Sequence, residues 1–442
     1  MKHRFFIAVV VVGLLSLPIA GTVSAKGEKS DQKELYKNLD LFAKVLHNIQ
    51  NDYVEPVKEK ELVYGAIEGM LASLDPHSLF MPPDLYKELR IDTEGQFGGN
   101  GIEIAVKDGL LTVVAPLEGT PAARAGIKAG DQILRINDHS SRGMSLSDTV
   151  KMMRGKKGTS VKLTLKRKGM KAFTVTLKRD KIRIASVKQE LIEGRYGYLR
   201  IVSFQEGTAR DLRAAIGKLE RLSDKKMAGL ILDLRNNPGG LLDEAVQVAD
   251  TFLAEGVIVM TESRNKQRDE KTAQKEGTIS PLPLIVIING GSASAAEIVA
   301  GALQDHHRAV LLGARTFGKG TVQTVYELGD GSALKLTIAK YYTPSGRSIQ
   351  AEGIAPDIWV ETREQASVAL KESSSKPSET AVEIREKDLK GHFEPENGAA
   401  TESEPDTVRS TGDDFQKEAA VNTLKSWKVF QNLSGGEGVV LR

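Results

Sequence analysis

Leu284-Ile285-Val286-Ile287-Ile288-Asn289-Gly290-Gly291-Ser292-Ala293-Ser294-Ala295-Ala296-Glu297 is an apolar run that ends in a Gly-Gly turn and continues into small residues. The run predicts a buried strand and the small residues after it a helix. A sharp strand-to-helix turn exposes a hydroxyl at a helix N-terminus, where free N–H groups can stabilise an oxyanion. Two serines, Ser292 and Ser294, compete for that position.

Outward from this stretch, strands and helices alternate from 182 to 362. A strand at 198–202 precedes an amphipathic helix at 208–222 and a continuously apolar, hence buried, strand at 229–234. Asn236-Asn237-Pro238-Gly239-Gly240 is a loop, followed by a helix at 241–253. Strands at 309–312 and 333–342 complete a layered α/β domain.

Upstream, 95–180 changes to short strands with glycine turns, at 101–106, 110–114, 132–136, 161–166 and 171–177, with a helix at 145–153. The unit is of domain size. Region 33–90 is helical. Leu35, Leu39, Phe42, Leu46, Ile49 and Tyr53 step by three and four, which predicts one buried stripe. A second helix at 61–74 carries Val63, Ile67, Met70 and Leu71. Two helices alone cannot bury both stripes, so they are expected to pack on the rest of the protein or on a second copy. Downstream, 363–413 is rich in Ser, Glu, Lys, Pro and Gly and is expected to be disordered. A last helix, 414–430 within the terminal segment 414–442, carries Phe415, Ala419, Leu424 and Trp427 and is expected to dock.

A chain of 442 residues exceeds one compact core and implies two or three domains. Net charge +3 gives no global indication of nucleic acid as a partner. Lys2 and Arg4, the apolar stretch 5–20 and Val23-Ser24-Ala25 read as an export signal over 1–25, cleaved after Ala25. Cysteine is absent, which removes thiol chemistry, disulfides and a lipidated N-terminal cysteine. With that cysteine missing, the periplasm is the expected destination. Scattered His and carboxylates show no metal-ligand spacing, so no metal or cofactor is expected.

A serine hydroxyl needs a base. His306 and His307 end the helix that starts at Ser294, some ~15 Å away, where cations suit the macrodipole. The remaining histidines fall in the leader, a surface helix, turns or the polar linker. Lys319, in Phe317-Gly318-Lys319-Gly320-Thr321-Val322-Gln323, offers an alternative base. Its reference pKa of about 10.4 has to fall toward neutrality, a differential of ~4 kcal/mol that burial can supply. Flanking glycines leave no neighbouring side chain to solvate the amine, and Gln323 could hold it without adding charge. The N–H of Ala295 and the Asn237–Gly240 loop are candidate oxyanion donors.

These motifs, with Leu232-Asp233-Leu234-Arg235-Asn236-Asn237-Pro238-Gly239-Gly240 and Tyr341-Tyr342-Thr343-Pro344-Ser345-Gly346-Arg347-Ser348-Ile349-Gln350, resemble the carboxyl-terminal processing (tail-specific) proteases, peptidase family S41 with a PDZ domain. The match runs in order from about Tyr53 to Val360 and includes Leu74-Asp75-Pro76-His77-Ser78. The resemblance implies a ClpP/crotonase-like α/β core with an inserted PDZ domain and helical terminal segments. It implies Ser294 as nucleophile, Lys319 as general base and Gln323 as its positioning residue. Gly240 and Ala295 are implied as the oxyanion hole, Gly239 being one register off.

Gly119–Asp131 is similar to the helix and turn of PDZ domains, which capture C-terminal tails by strand addition. Phe97-Gly98-Gly99-Asn100-Gly101-Ile102 would be its carboxylate loop, so Gly99, Asn100, Gly101 and Ile102 are the expected substrate contacts. Asn100 stands where an apolar residue is usual, and Arg154 matches a family arginine linked to PDZ positioning. Expected partners are protein or peptide substrates with apolar C-termini, an adaptor protein and a second copy in a homodimer. The rival function is a non-catalytic PDZ adaptor on a protease-like scaffold, which predicts loss of Ser294, Lys319 or Gln323. All three are present.

Overall fold

The computed structural model describes residues 25–107, 109–117, 119–223, 226–360, 384–395 and 414–433. The expected export signal lies almost wholly outside them. The chain divides after Gly69 into two compact units. In the first, the predicted helix forms as Ala25–Asp52. Within the single chain, Leu35, Leu39 and Phe42 of its stripe are 56%, 53% and 46% exposed, and Leu46 and Ile49 are half-buried.

In the second unit, a six-stranded sheet begins with Val187–Ile192 antiparallel to Tyr196–Ile201. Gly229–Asp233, Leu284–Ile288, Val310–Gly313 and Ile358–Trp359 follow in parallel. The two central strands are buried at every residue, which is why they read as unbroken apolar runs. Alternate residues feed two cores. Leu230, Leu232, Val286 and Ile288 pack with the helices Thr208–Leu222, Leu242–Asp250 and Ala295–Asp305. Ile231, Ile285 and Ile287 pack instead with Ala420, Val421 and Leu424 of the C-terminal helix Phe415–Leu433. That helix is held at its start by Arg235, whose guanidinium bridges Asp233 and Asp414.

A second sheet is organised around the long strand Ala333–Tyr342. Thr321–Glu327 pairs along one side of it, and Leu79–Met81 and Val257–Ser263 share the other. Val257–Ser263 also pairs with Arg268–Thr272.

Six strands from Ile102–Lys107 to Phe173–Lys178 form a separate antiparallel sheet with its own core, including Leu111, Ile133, Ile136, Leu163 and Leu165. Among the described residues Ile102–Lys107 is an edge of that sheet, paired only with Leu110–Pro116. The unit is inserted on a stem: Gln96–Gly99 enters it and pairs with Asp180–Arg183, which leaves it.

The expected disorder of 363–413 requires a correction. Residues 384–395 are ordered around the turn Glu386–Asp388, while the rest of that stretch lies outside the described residues. Glu386 is fully buried and accepts from His77 Nε2 at 2.9 Å and Gln350 Nε2 at 3.0 Å. Contacts with residues distant in sequence order this piece, and no composition rule registers them.

Candidate active site

The two serines of the strand-to-helix turn have different environments. Ser292 is buried, donates to the Leu234 carbonyl at 2.8 Å and accepts from the Asn289 N–H at 3.0 Å, so it is structural. Ser294 lies on the wall of a cleft of about 550 Å³ with φ 55° and ψ −115°, a strained conformation for a side-chain-bearing residue. The helix Ala295–Asp305 starts directly after it. Among the described residues the N–H of Ala295 has no partner, as expected of a first helical residue.

The loop after Gly229–Asp233 supplies the facing wall. The Gly239 N–H is taken by Asn237 Oδ1 at 2.9 Å, and its carbonyl accepts from Phe204. Phe204 in turn accepts from Leu241, which leaves the Gly240 N–H without a partner among the described residues. Of the two glycines considered as donors, Gly240 is therefore the available one. Gly239 has φ +98°, and a Cβ there would sit 2.8 Å from Ser294 Cβ and 3.0 Å from the Ala295 nitrogen. The close approach requires glycine.

Lys319 lines the same cleft. Burial, and next the like charge of Lys335, push its pKa down to about 8, while Glu386, Glu297 and Asp75 pull the other way. Its loop is held through the backbone. Glu297 Oε2 accepts from the N–H groups of Ser294 at 2.7 Å and Lys319 at 2.9 Å. Oε1 accepts from the Thr316 hydroxyl at 2.5 Å and the Gly318 N–H at 2.7 Å. Burial pushes Glu297 up to about 7 against the pull of these donors. One carboxylate thus sets the serine turn against the lysine loop. Sequence reasoning missed this role, although Glu297 stands three residues after Ser294, at capping-box spacing. It also missed Tyr341, whose buried hydroxyl donates to the Lys319 carbonyl and is in hydrogen-bonding contact with Ser294.

Gln323 is on the cleft, yet its Nε2 donates to Thr321 Oγ1 at 2.9 Å and Thr337 Oγ1 at 3.3 Å. Its amide oxygen has no donor among the described residues and is the acceptor left for an amine. Thr337 is itself held by Asp75 Oδ1 at 3.1 Å, which connects the Asp75–Ser78 turn to the site.

Gly99, Asn100, Gly101 and Ile102 line a smaller cavity of about 210 Å³, closed on the other side by Val150 and Met153 of the helix Leu146–Met153. The N–H groups of Asn100 and Gly101 have no partner among the described residues. Asn100 is buried; its Nδ2 donates to the Met153 carbonyl at 3.0 Å, while its Oδ1 is buried without a donor among the described residues. Arg154 stacks on Phe97, with its guanidinium 4.7 Å from the ring centre.

Comparison with known proteins gives three family matches: peptidase family S41 over 195–360, a PDZ domain over 112–167, and the activating protease CtpB N-terminal domain over 18–84. The carboxy-terminal-processing protease of Bartonella bacilliformis is 41% identical over 96% of both chains. Carboxy-terminal processing protease CtpA of Bacillus subtilis is 40% identical over 87% of this chain and 83% of its own. A solved photosystem II D1 C-terminal processing protease is 32% identical, covering 77% of this chain and 92% of that one with a TM-score of 0.44. Identity at this level over almost the whole length settles membership: the chain belongs to the carboxy-terminal processing proteases of peptidase family S41 and carries a PDZ domain.

Proposed function

We propose that this protease is a serine-type endopeptidase with a Ser294–Lys319 dyad that cleaves chains near a C-terminus bound in its PDZ groove. The observation that carries the reading is the shared cleft: a strained serine and a lysine with its pKa lowered to about 8 line one cavity, together with Ala295 and Gly240, whose N–H groups have no partner among the described residues. Lys319, as the free amine, takes the Ser294 proton while Oγ attacks a backbone carbonyl, and the Ala295 and Gly240 N–H groups receive the oxyanion. Gln323 Oε1 orients the amine. Lys319 returns the proton to the departing amine as the C–N bond breaks, and water then hydrolyses the serine ester.

The tail of the substrate adds as a strand to the open edge of Ile102–Lys107, with its carboxylate on the N–H groups of the 99–102 loop. The basic, apolar and small-residue pattern of 1–25 supports export and cleavage after Ala25, which N-terminal sequencing of the mature protein tests; an intact Met1 would overturn it.

The decisive experiment is turnover of an unfolded protein substrate by the parent, Ser294→Ala and Lys319→Ala. Both variants are expected to lose at least ~10²-fold. Equal turnover by all three sinks the dyad. Tail binding by a parent that cleaves nothing would favour the adaptor instead.

A further inference from the structure

The cleft contains a second lysine that the reaction above does not use. Lys335 lies on Ala333–Tyr342, in register with Val325 on one side and Leu79 on the other. Two residues along the same strand face, Thr337 pairs with Gln323 and accepts from its amide. Lys335 lines the cavity that also holds Ser294, Lys319 and Gln323. It is half-buried, and among the described residues its ammonium has no hydrogen bond and no ion pair.

Three buried or half-buried carboxylates around Lys319 are engaged elsewhere. Glu386 faces His77 and Gln350. Asp75 accepts from Ser78, His77 and Thr337. Glu297 is held by four donors. A half-buried charge without a counter-ion is costly, and on the wall of a reactive cleft it marks a candidate for function.

We propose that Lys335 is a positioning residue for the base: its uncompensated ammonium in the cleft wall disfavours a second cation there and leaves Lys319 as the free amine. The inference rests on Lys319 acting as the base. Burial lowers the pKa of both lysines, and the Lys335 charge is the second contribution at Lys319 after burial. Other groups around Lys319 act against this or are silent. Glu386, from the 384–395 segment, Glu297, from the serine helix, and Asp75, from the turn before Leu79, favour its charge. Tyr341, on the same strand as Lys335, is held well above its ordinary range and stays neutral. Asp92 of the helix Pro83–Glu94 also lines the cleft. Lys335 is thus the cationic side chain that opposes three carboxylates.

The test is the pH dependence of kcat/KM on a peptide substrate, together with the rate at which a fluorophosphonate labels Ser294, for full-length parent, Lys335→Met and Lys335→Arg. Loss of the charge in Lys335→Met is expected to move the acid limb up by about one pH unit, costing about tenfold at pH 7 with the alkaline plateau retained. Lys335→Arg keeps the charge and is expected to keep the limb of the parent. Lys335→Gln carries the same expectation as Met and serves should Met fail to fold. An acid limb that does not move in the neutral variants overturns the inference, as does an equal loss at every pH. Parent-like turnover by Lys319→Ala would instead defeat the dyad reading. Inactive Lys319→Ala beside an unshifted Lys335→Met defeats this inference alone.

Discussion

Glu297 is the side chain through which the serine turn and the lysine loop share one geometry. Glu297→Gln would leave one acceptor oxygen and set an NH₂ group against N–H donors, each stranded buried donor costing about 1–3 kcal/mol. Thermal denaturation is expected to show a lowered Tm, and turnover to fall by about 10²-fold as the loops shift apart; parent-like values on both would mean the four bonds carry no weight. Lys319 gives a pH prediction with a definite sign. Because the base is the neutral amine, kcat/KM is expected to rise as pH climbs through about 8. The folded-state pKa of about 8 is below the unfolded value of about 10.4, so the native state resists the proton that the unfolded chain accepts. The penalty is complete below pH 8 and fades as pH rises to the unfolded value. Lys319→Met is therefore expected to be inactive yet more stable than the parent at pH 7, on the order of 2 kcal/mol, with the gap closing by pH 10 in urea titrations.

The elements hold the site by close approach. Gly239 brings its loop against Ser294 with no room for a methyl group, and its φ of +98° is unfavourable for any side chain. Gly239→Ala is expected to destabilise by about 1–3 kcal/mol and to displace the adjacent Gly240 donor, so turnover should fall more than stability does. The C-terminal helix contributes differently, by covering the sheet face opposite the site. Leu424 is fully buried against that face, and Leu424→Ala is expected to cost about 2–5 kcal/mol by denaturant unfolding. An effect under ~0.5 kcal/mol would show that the helix is not part of the folded core. The elements least legible in sequence are the polar ones. Arg268–Thr272 is mostly exposed and carries charge at four of its five places, so it shows no strand pattern, although Val257–Ser263 pairs with it.

For the molecule as a whole, the PDZ unit sits on a two-stranded stem with its groove at an open sheet edge. A substrate with an amidated C-terminus is expected to lose about 10- to 100-fold in kcat/KM relative to the free acid, the difference a charged acceptor makes on backbone N–H groups. Equal rates would refute capture of the tail. The exposed Leu35, Leu39 and Phe42 stripe is expected to be covered by a second copy. Sedimentation at micromolar concentration should then show a dimer for the parent and a monomer for Phe42→Glu; monomer for both would reject it.

From Thr208 to Tyr342 the three helices and the strands Gly229–Asp233, Leu284–Ile288, Val310–Gly313 and Ala333–Tyr342, the candidacy of Ser294, Lys319 and Gln323, and the split into an α/β core and a strand-rich insert could be read from residues alone, whereas Val257–Ser263, Arg268–Thr272 and Thr321–Glu327 could not. Each depends on local signals: apolar periodicity, glycine turns and motif spacing act over a few residues. Other features needed the fold. Ser292 is separated from Ser294 by its buried bonds, Gly240 from Gly239 by which N–H is already taken, and Glu386 is ordered by His77 and Gln350. The lowered pKa of Lys319 belongs to the same group. Burial and charge are set by whatever side chains the folded chain brings into one volume, here Lys335 of a neighbouring strand, Glu297 of the serine helix, and Asp75 and Glu386 of two turns distant in sequence.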